Sequence, residues 1–286
     1  MKKKTCILVT GANGQLGSEF LARFSAEKQY QVKSFNSNEL DITDFSALHD
    51  AVTELKPDLF INCAAYTKVD VAENDSEKCY QVNEIGVKHL GELCALNKAL
   101  LLHFSTDYVF DGETNMAYSE TDICNPINVY GASKLAGEKS LEMTECNYMV
   151  LRLSWLYSEF GMNFPKTIQK LLTEREEIKV VNDQVSSPTW TKPLVNFLVD
   201  KVISEPAFFN RSVNHWTEDG EASWFEIAKE INQTHQKKVV PVSSEFFNSA
   251  ATRPKYSKLS SQLVNEFKSY NIPWQDNLSQ FLRRSK

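Results

Sequence analysis

Apolar positions along this chain of 286 residues fall into short continuous runs, separated by stretches with helical spacing. The runs "CILVT" (6–10), "YQVKSF" (30–35), "LFINCAA" (59–65), "LLHFST" (101–106) and "YMVLRLS" (148–154) predict strands. Most are apolar without a break, as expected of a sheet buried on both faces. Between them, Leu16, Phe20, Leu21 and Phe24 line one helical face. Phe45, Leu48, Val52 and Leu55 line another, which Pro57 ends. "NEIGVKHLGELCALNK" and a stretch beginning near Tyr130 predict two more helices. This alternation predicts an α/β fold, a doubly wound parallel sheet with helices on both faces. After about residue 156 the order is less regular, and "FPKTIQKLL", "IKVV", "KPLVNFLVDKVI" and "SWFEIAKEIN" predict a smaller C-terminal α/β region.

Composition narrows the partners. The formal net charge is −6 and the sequence pI about 5.5, which argues against nucleic acid and against an anionic membrane surface. Six cysteines occur without a C-x-x-C pair or a histidine cluster, so neither a metal site nor a disulfide framework is expected. A reduced, cytoplasmic setting follows. The start "MKKKTCILVT" is basic, but its apolar run is short for a signal peptide. No stretch approaches the roughly 18 apolar residues of a membrane span.

Three of the ten glycines fall within "GANGQLG" (11–17), directly after a predicted strand and opening a predicted helix. That context gives the motif its meaning as a dinucleotide-binding turn. Gly11 allows the sharp turn, Gly14 lets backbone approach a pyrophosphate, and Gly17 lets the helix pack close to the sheet. The helix N-terminus offers free N–H groups to the phosphates. The expected division is therefore a dinucleotide-binding domain over 1–156 and a mainly substrate-binding region over 157–286. The boundary is soft, and some later segments are expected to return to the first sheet. The glycine spacing resembles that of the extended short-chain dehydrogenase/reductases, Rossmann-type proteins whose loop holds NAD(P). At the end of the second strand, Asn36 stands where an NAD-selecting carboxylate is expected, with Lys33 nearby, so NADP(H) is favoured over NAD(H).

"YGASK" places Tyr130 and Lys134 on one helical face, behind a strand ending "FSTDYVFDG". With Thr106 they form the proton-handling set of that family. Ketone reduction adds hydride at carbon and a proton at oxygen, and a phenol can supply the proton. A lysine ammonium about 5 Å from it, at an effective dielectric near 20, would favour phenolate by roughly 3 kcal/mol. The Thr106 hydroxyl can hydrogen-bond the carbonyl oxygen as charge builds there.

A more specific resemblance covers nearly the whole chain. "LDITD", "INCAAYTKVDVAE", "NPINVYGASKLAGE", "LRLSWLYSEFGMNF", "NDQVSSPTW" and "RPKYSKL" occur in the order seen in the dTDP-4-dehydrorhamnose reductase family. The resemblance implies reduction of the C4 keto group of dTDP-4-dehydro-L-rhamnose by a monomer or homodimer. It implies that Gly11, Asn13, Gly14, Gln15 and Leu16 meet the cofactor pyrophosphate, and that Asn36, Asp41 and Ile42 flank its adenosine. Ala64, Ala65, Tyr66 and Thr67 would line the cofactor, and Lys134 would reach its nicotinamide ribose. Thr106, Asp107, Tyr130 and Trp155 would contact the sugar nucleotide. Arg253 is expected on its diphosphate, which a guanidinium fork suits. The chain departs from the family pattern at Asn36, at Ser186 (usually Gly) and at Tyr256 (often Asn). A 4,6-dehydratase needs an Asp-Glu pair after the strand-end Thr, whereas Thr106 is followed by Asp107 and Tyr108. A 4-epimerase and a non-catalytic regulatory subunit of the same fold remain as alternatives.

Overall fold

Six parallel strands build the central sheet of the computed structural model, which describes residues 4–284. They are β1 (Thr5–Thr10), β2 (Tyr30–Phe35), β3 (Leu59–Asn62), β4 (Leu100–Thr106), β5 (Asn147–Leu153) and β6 (Ser212–His215). Their spatial order is β2-β1-β3-β4-β5-β6, every neighbouring pair parallel. The strand-by-strand alternation predicts the first five; β6, "SVNH", has no apolar run to announce it. The basic start at Lys2 and Lys3 lies outside the described residues.

Alternate strand positions feed two cores, as a doubly wound sheet requires. Ile7, Val9, Ile61 and Phe104 face helix α1 (Gln15–Phe24) and the later helix Thr191–Phe197. Leu8, Phe60 and Leu101 face α2 (Phe45–Leu55), α3 (Gly86–Asn97) and α4 (Val129–Glu142). The predicted faces hold with three adjustments, the first in α1, where Leu21 is only partly buried. In α2 only Leu48 and Val52 are buried, and Phe45 is 38% exposed at the helix start. Lys56, in the left-handed region at φ 48°, ends α2 one residue before Pro57.

A third core forms a C-terminal lobe around Tyr157, Ile168, Leu172, Trp190, Ile231 and Phe281. Its parallel pair Glu177–Val181 and Lys238–Val242 matches the predicted smaller α/β region. The chain does not stay there: Thr191–Phe197 packs on α1, and β6 joins the main sheet beside β5.

Order in the sheet fixes where a ligand fits. From β1 the chain moves outward to β2, then crosses to β3 on the other side of β1. The connections after β1 and β3 leave for opposite faces of the sheet at that reversal, the arrangement that forms a crevice above the carboxyl ends of the two strands.

Candidate active site

Gly11 sits at the carboxyl end of β1 with φ +68°. A Cβ there would lie 2.5 Å from the Ala64 nitrogen, so the β1 and β3 ends meet too closely for any other residue. A Cβ on Gly14 would meet only the Gly11 oxygen, at 3.3 Å. Gly17 does not serve the sheet as expected. Its missing Cβ makes room for the loop itself, 2.4 Å from the Gly11 oxygen. Gly14 caps α1 without a side-chain hydrogen bond, and the first turn of α1 carries no acid. Its N–H groups and the positive helix end are thus directed at the crevice.

The residues expected around a dinucleotide lie in and after the turns that follow β1, β2 and β3, and several of them would offer only backbone. Asn13 is exposed, Gln15 accepts a 3.2 Å bond from Asn163, and the Leu16 side chain lies in the core. Ile42 is 3% exposed and packs beneath Gly86. The Asp41 carboxylate holds the Thr43 N–H and hydroxyl, both at 2.9 Å. Ala64, Ala65, Tyr66 and Thr67 follow β3. Asn62 accepts the Ala64 N–H at 3.1 Å, and Asn83 clamps the Tyr66 backbone at 2.8 and 3.1 Å. Asn36 turns its side-chain oxygen to the Asn38 N–H and donates its own N–H to Glu39 at 2.9 Å. A carboxylate therefore does stand at the end of β2, contributed by Glu39, three residues beyond the position that sequence alone suggests.

Helix α4 brings the proton-handling groups to the end of β4. Asn128 caps it by accepting the Gly131 N–H at 2.8 Å. Gly131 is required by contact, since its Cβ would lie 2.1 Å from the Tyr108 oxygen. Tyr130 is thereby pressed against the loop after Thr106, whose hydroxyl favours the ionised phenol. Burial pushes the Tyr130 pKa well above its ordinary value; the Thr106 hydroxyl pulls it back, and Asp107 and Cys79 add to the rise. Burial also lowers Lys134 to about 8. The expected phenol-lowering by Lys134 is therefore not found. Lys134 loses its charge at about pH 8, below the range where the phenol of the resting site ionises, so its ammonium can stabilise only a phenolate formed below about pH 8, as proton donation in turnover would form it. At neutral pH the phenol keeps its proton, the state a proton donor needs. The Lys134 ammonium donates to the Phe104 carbonyl at 2.6 Å and lies 3.3 Å from His103 Nε2.

Asp107 is 2% exposed and accepts from Ser257 at 2.5 Å, Thr106 at 3.2 Å and Ser186 at 3.5 Å. Burial raises its pKa to about 7. Ser186, one of the departures from the family pattern, thus supplies a donor to this carboxylate. Tyr256, another, donates to Glu221 at 2.8 Å. The Arg253 fork is occupied by Asp70, at 3.0 and 2.6 Å, and Tyr108 lies near enough to the guanidinium to favour its charge. Tyr108 in turn stands edge-on to Tyr130, with ring centroids 6.0 Å apart. Beyond Arg253 opens a cavity of about 580 Å³ lined by Phe164, Leu171, Gln184, Trp224 and Phe247. Trp155, in the left-handed region at φ 46°, stacks on Trp224 at 3.6 Å. Among the described residues no group of three His, Cys, Asp or Glu could hold a metal, and all six cysteines are free thiols. No described helix is long and apolar enough to cross a membrane.

The Asp70, Asn83 and His103 side chains escaped the sequence reading. They approach Arg253, Tyr66 and Lys134 across 183, 17 and 31 residues, and no local spacing signals such pairs.

Known proteins resemble this chain over nearly its whole length. The family profile described as RmlD substrate binding domain matches residues 4–286. A dTDP-4-dehydrorhamnose reductase of Burkholderia thailandensis is 36% identical over 285 residues, covering 93% of this chain and 94% of that one. The spore coat polysaccharide biosynthesis protein SpsK of Bacillus subtilis is 34% identical over 281 residues, covering 98% and 97%. The solved structure of a Bacillus anthracis dTDP-4-dehydrorhamnose reductase in complex with NADP superposes with a TM-score of 0.92, at 39% identity and 98% and 99% coverage.

Proposed function

The chain belongs to the RmlD substrate binding domain family, and from that premise we propose that it reduces the C4 keto group of dTDP-4-dehydro-L-rhamnose. The product is dTDP-L-rhamnose, a sugar donor for cell-surface polysaccharide. NADP(H) is the cofactor, with NAD(H) as the second choice. The observation that carries the reading is the placement of Tyr130, on α4, against Thr106 and the Tyr108 loop at the end of β4. Tyr130 lies on the same carboxyl edge of the sheet as the glycine turn.

The glycine turn fits a dinucleotide. Gly14 puts no side chain at the uncapped helix N-terminus, so backbone N–H groups can face a pyrophosphate without displacing one. The bound cofactor supplies the hydride to C4. Tyr130 donates its proton to the carbonyl oxygen, and Thr106 hydrogen-bonds that oxygen as negative charge develops. Below about pH 8 Lys134 carries a positive charge and stabilises the phenolate left behind. The cavity beyond Arg253 is of a size for a nucleotide, and Arg253 stands between it and Tyr130, where a diphosphate would lie. In this reading the chain acts in the cytoplasm, as a monomer or homodimer, on a dTDP-sugar.

Tyr130→Phe tests the assignment. It keeps the ring and removes the proton, and should lower kcat by roughly 10²–10⁴ while NADPH binding persists. Near-native turnover by this variant would remove Tyr130 as the acid. A native protein that binds NADPH but reduces no 4-keto sugar would favour the regulatory-subunit alternative.

A further inference from the structure

His103 lies wholly buried in β4, between Asn62 and Lys134. The direction of the hydrogen bonds through this chain can be worked out from one end. The Ala64 N–H can only donate, and it donates to Asn62 Oδ1 at 3.1 Å; the Thr10 hydroxyl donates to the same oxygen at 2.7 Å. The Asn62 amide nitrogen must then be the atom facing His103 Nδ1, at 3.0 Å. An amide NH2 has no acceptor capacity, so Nδ1 accepts. Burial and the neighbouring Lys134 keep the ring neutral. A neutral ring that accepts at Nδ1 carries its proton on Nε2, and that N–H points at Lys134 Nζ, 3.3 Å away.

An ammonium has three N–H groups and no lone pair, so an N–H aimed at it is a mismatch. A free amine has a lone pair and accepts that N–H. We propose that His103 is a positioning residue of the reaction: locked by Asn62 as the Nε2–H tautomer, it stabilises the free amine of Lys134. It thereby limits the pH range over which Lys134 holds a proton. The inference rests on the reductase reading for its catalytic consequence, but not for the tautomer.

The other groups around Lys134 act in known directions. Burial is the largest influence and lowers its pKa, and the result is about 8. Glu138, one turn further along α4, and Cys79, on the helix Ser76–Tyr80, both raise it. Glu138 is itself held by Arg152 at 2.7 Å and by Ser105, and so is not free to move toward Lys134. Tyr130 precedes Lys134 by one turn and keeps its proton throughout this range. The His103 N–H works with burial against the two acids. When Tyr130 gives up its proton, the phenolate needs the Lys134 charge, so turnover should fall as pH rises through the Lys134 transition.

Two measurements on the full chain test this. The first is histidine ¹⁵N–¹H correlation NMR of the native protein between pH 6 and 9. The chain has five histidines, and the His103 signal is the one missing from His103→Gln. The expected pattern is protonated Nε2 and bare Nδ1, unchanged across the range; protonation at Nδ1 overturns the proposal. The second is the pH profile of kcat/KM for NADPH-dependent reduction of the dTDP-4-keto sugar. His103→Met has no donor, and should move the alkaline limb upward by roughly one pH unit. His103→Gln can accept from Asn62 and still donate to Lys134, so its limb should stay where the native one lies, whatever its turnover. An unmoved limb in His103→Met, or equal movement in both variants, overturns the proposal. If His103→Met does not fold, the NMR pattern decides alone. Native protein with no reductase activity would sink the proposed function and leave the tautomer result standing.

Discussion

Replacing Arg253 by Ala tests substrate anchoring, and its magnitude can be worked from the contacts. A charge-assisted hydrogen bond to a phosphate is worth about 1.5–3 kcal/mol, or roughly 10- to 150-fold in affinity. The Arg253 fork is already taken by Asp70 at 3.0 and 2.6 Å, so a diphosphate must share or displace that partner. The gain is the difference between the two interactions, which points to the lower end, about tenfold. The ion pair itself adds little to the fold. The Asp70 side chain is 44% exposed, and screening holds such a pair to about 1 kcal/mol or less. Arg253→Ala should therefore raise KM for the dTDP-sugar about tenfold, leave kcat nearly unchanged, and leave KM for NADPH where it was. Asp70→Asn removes a competing negative charge near the diphosphate and should lower the sugar KM by a small factor, about two- to fivefold. Steady-state kinetics at saturating NADPH measure both. An unchanged sugar KM in Arg253→Ala would refute the reasoning, and a raised KM in Asp70→Asn would show that orientation of Arg253 outweighs competition.

Glu39 stands at the end of β2, so Glu39→Gln should raise kcat/KM for NADPH relative to NADH about fivefold, as a nearby carboxylate disfavours a 2′-phosphate; an unchanged ratio would place Glu39 away from the ribose. Asp107 titrates near 7 in the fold against 3.8 when unperturbed, mainly because it is buried. A raised carboxyl pKa means the unfolded chain releases its proton first, so Asp107 favours the folded state below about pH 4 and that contribution is lost as pH rises to about 7. Thermal unfolding at pH 5 and pH 8 should therefore show a smaller loss in Asp107→Asn than in the native protein; equal losses would contradict the burial argument. Gly11→Ala combines a left-handed φ with a Cβ 2.5 Å from backbone, and should abolish NADPH binding or folding, as read by cofactor fluorescence and circular dichroism.

What was legible in the sequence was the part encoded by neighbours. Leu48 and Val52 sit four apart and define a buried face; Tyr130 and Lys134 do the same for the reactive one. The glycine turn was readable because a strand, a turn and a helix stand in one short stretch. Glu39 was missed because the turn after β2 folds back on itself, and the side chain that reaches the strand end is not the one at the strand end. β6 was missed because a four-residue edge strand needs little apolar surface. The Lys134 effect on Tyr130 failed for a different reason. Distance alone suggests an ammonium beside a phenol, while burial of both groups reverses the order in which they lose their protons. Asp70 and Asn83 were illegible because their partners are brought to them only by the finished fold.

The central claim is hydride transfer to C4 of a dTDP-4-keto sugar, with the oxygen protonated by Tyr130. The most direct measurement uses NADPH carrying deuterium at the transferable position of C4 of the nicotinamide, with dTDP-4-dehydro-L-rhamnose as substrate and NMR of the product. The account predicts dTDP-L-rhamnose with one deuterium at the sugar C4, formed in proportion to the NADPH consumed, and almost none with Tyr130→Phe in the same time. A product without deuterium at C4, or NADPH that is bound but not consumed, would contradict it.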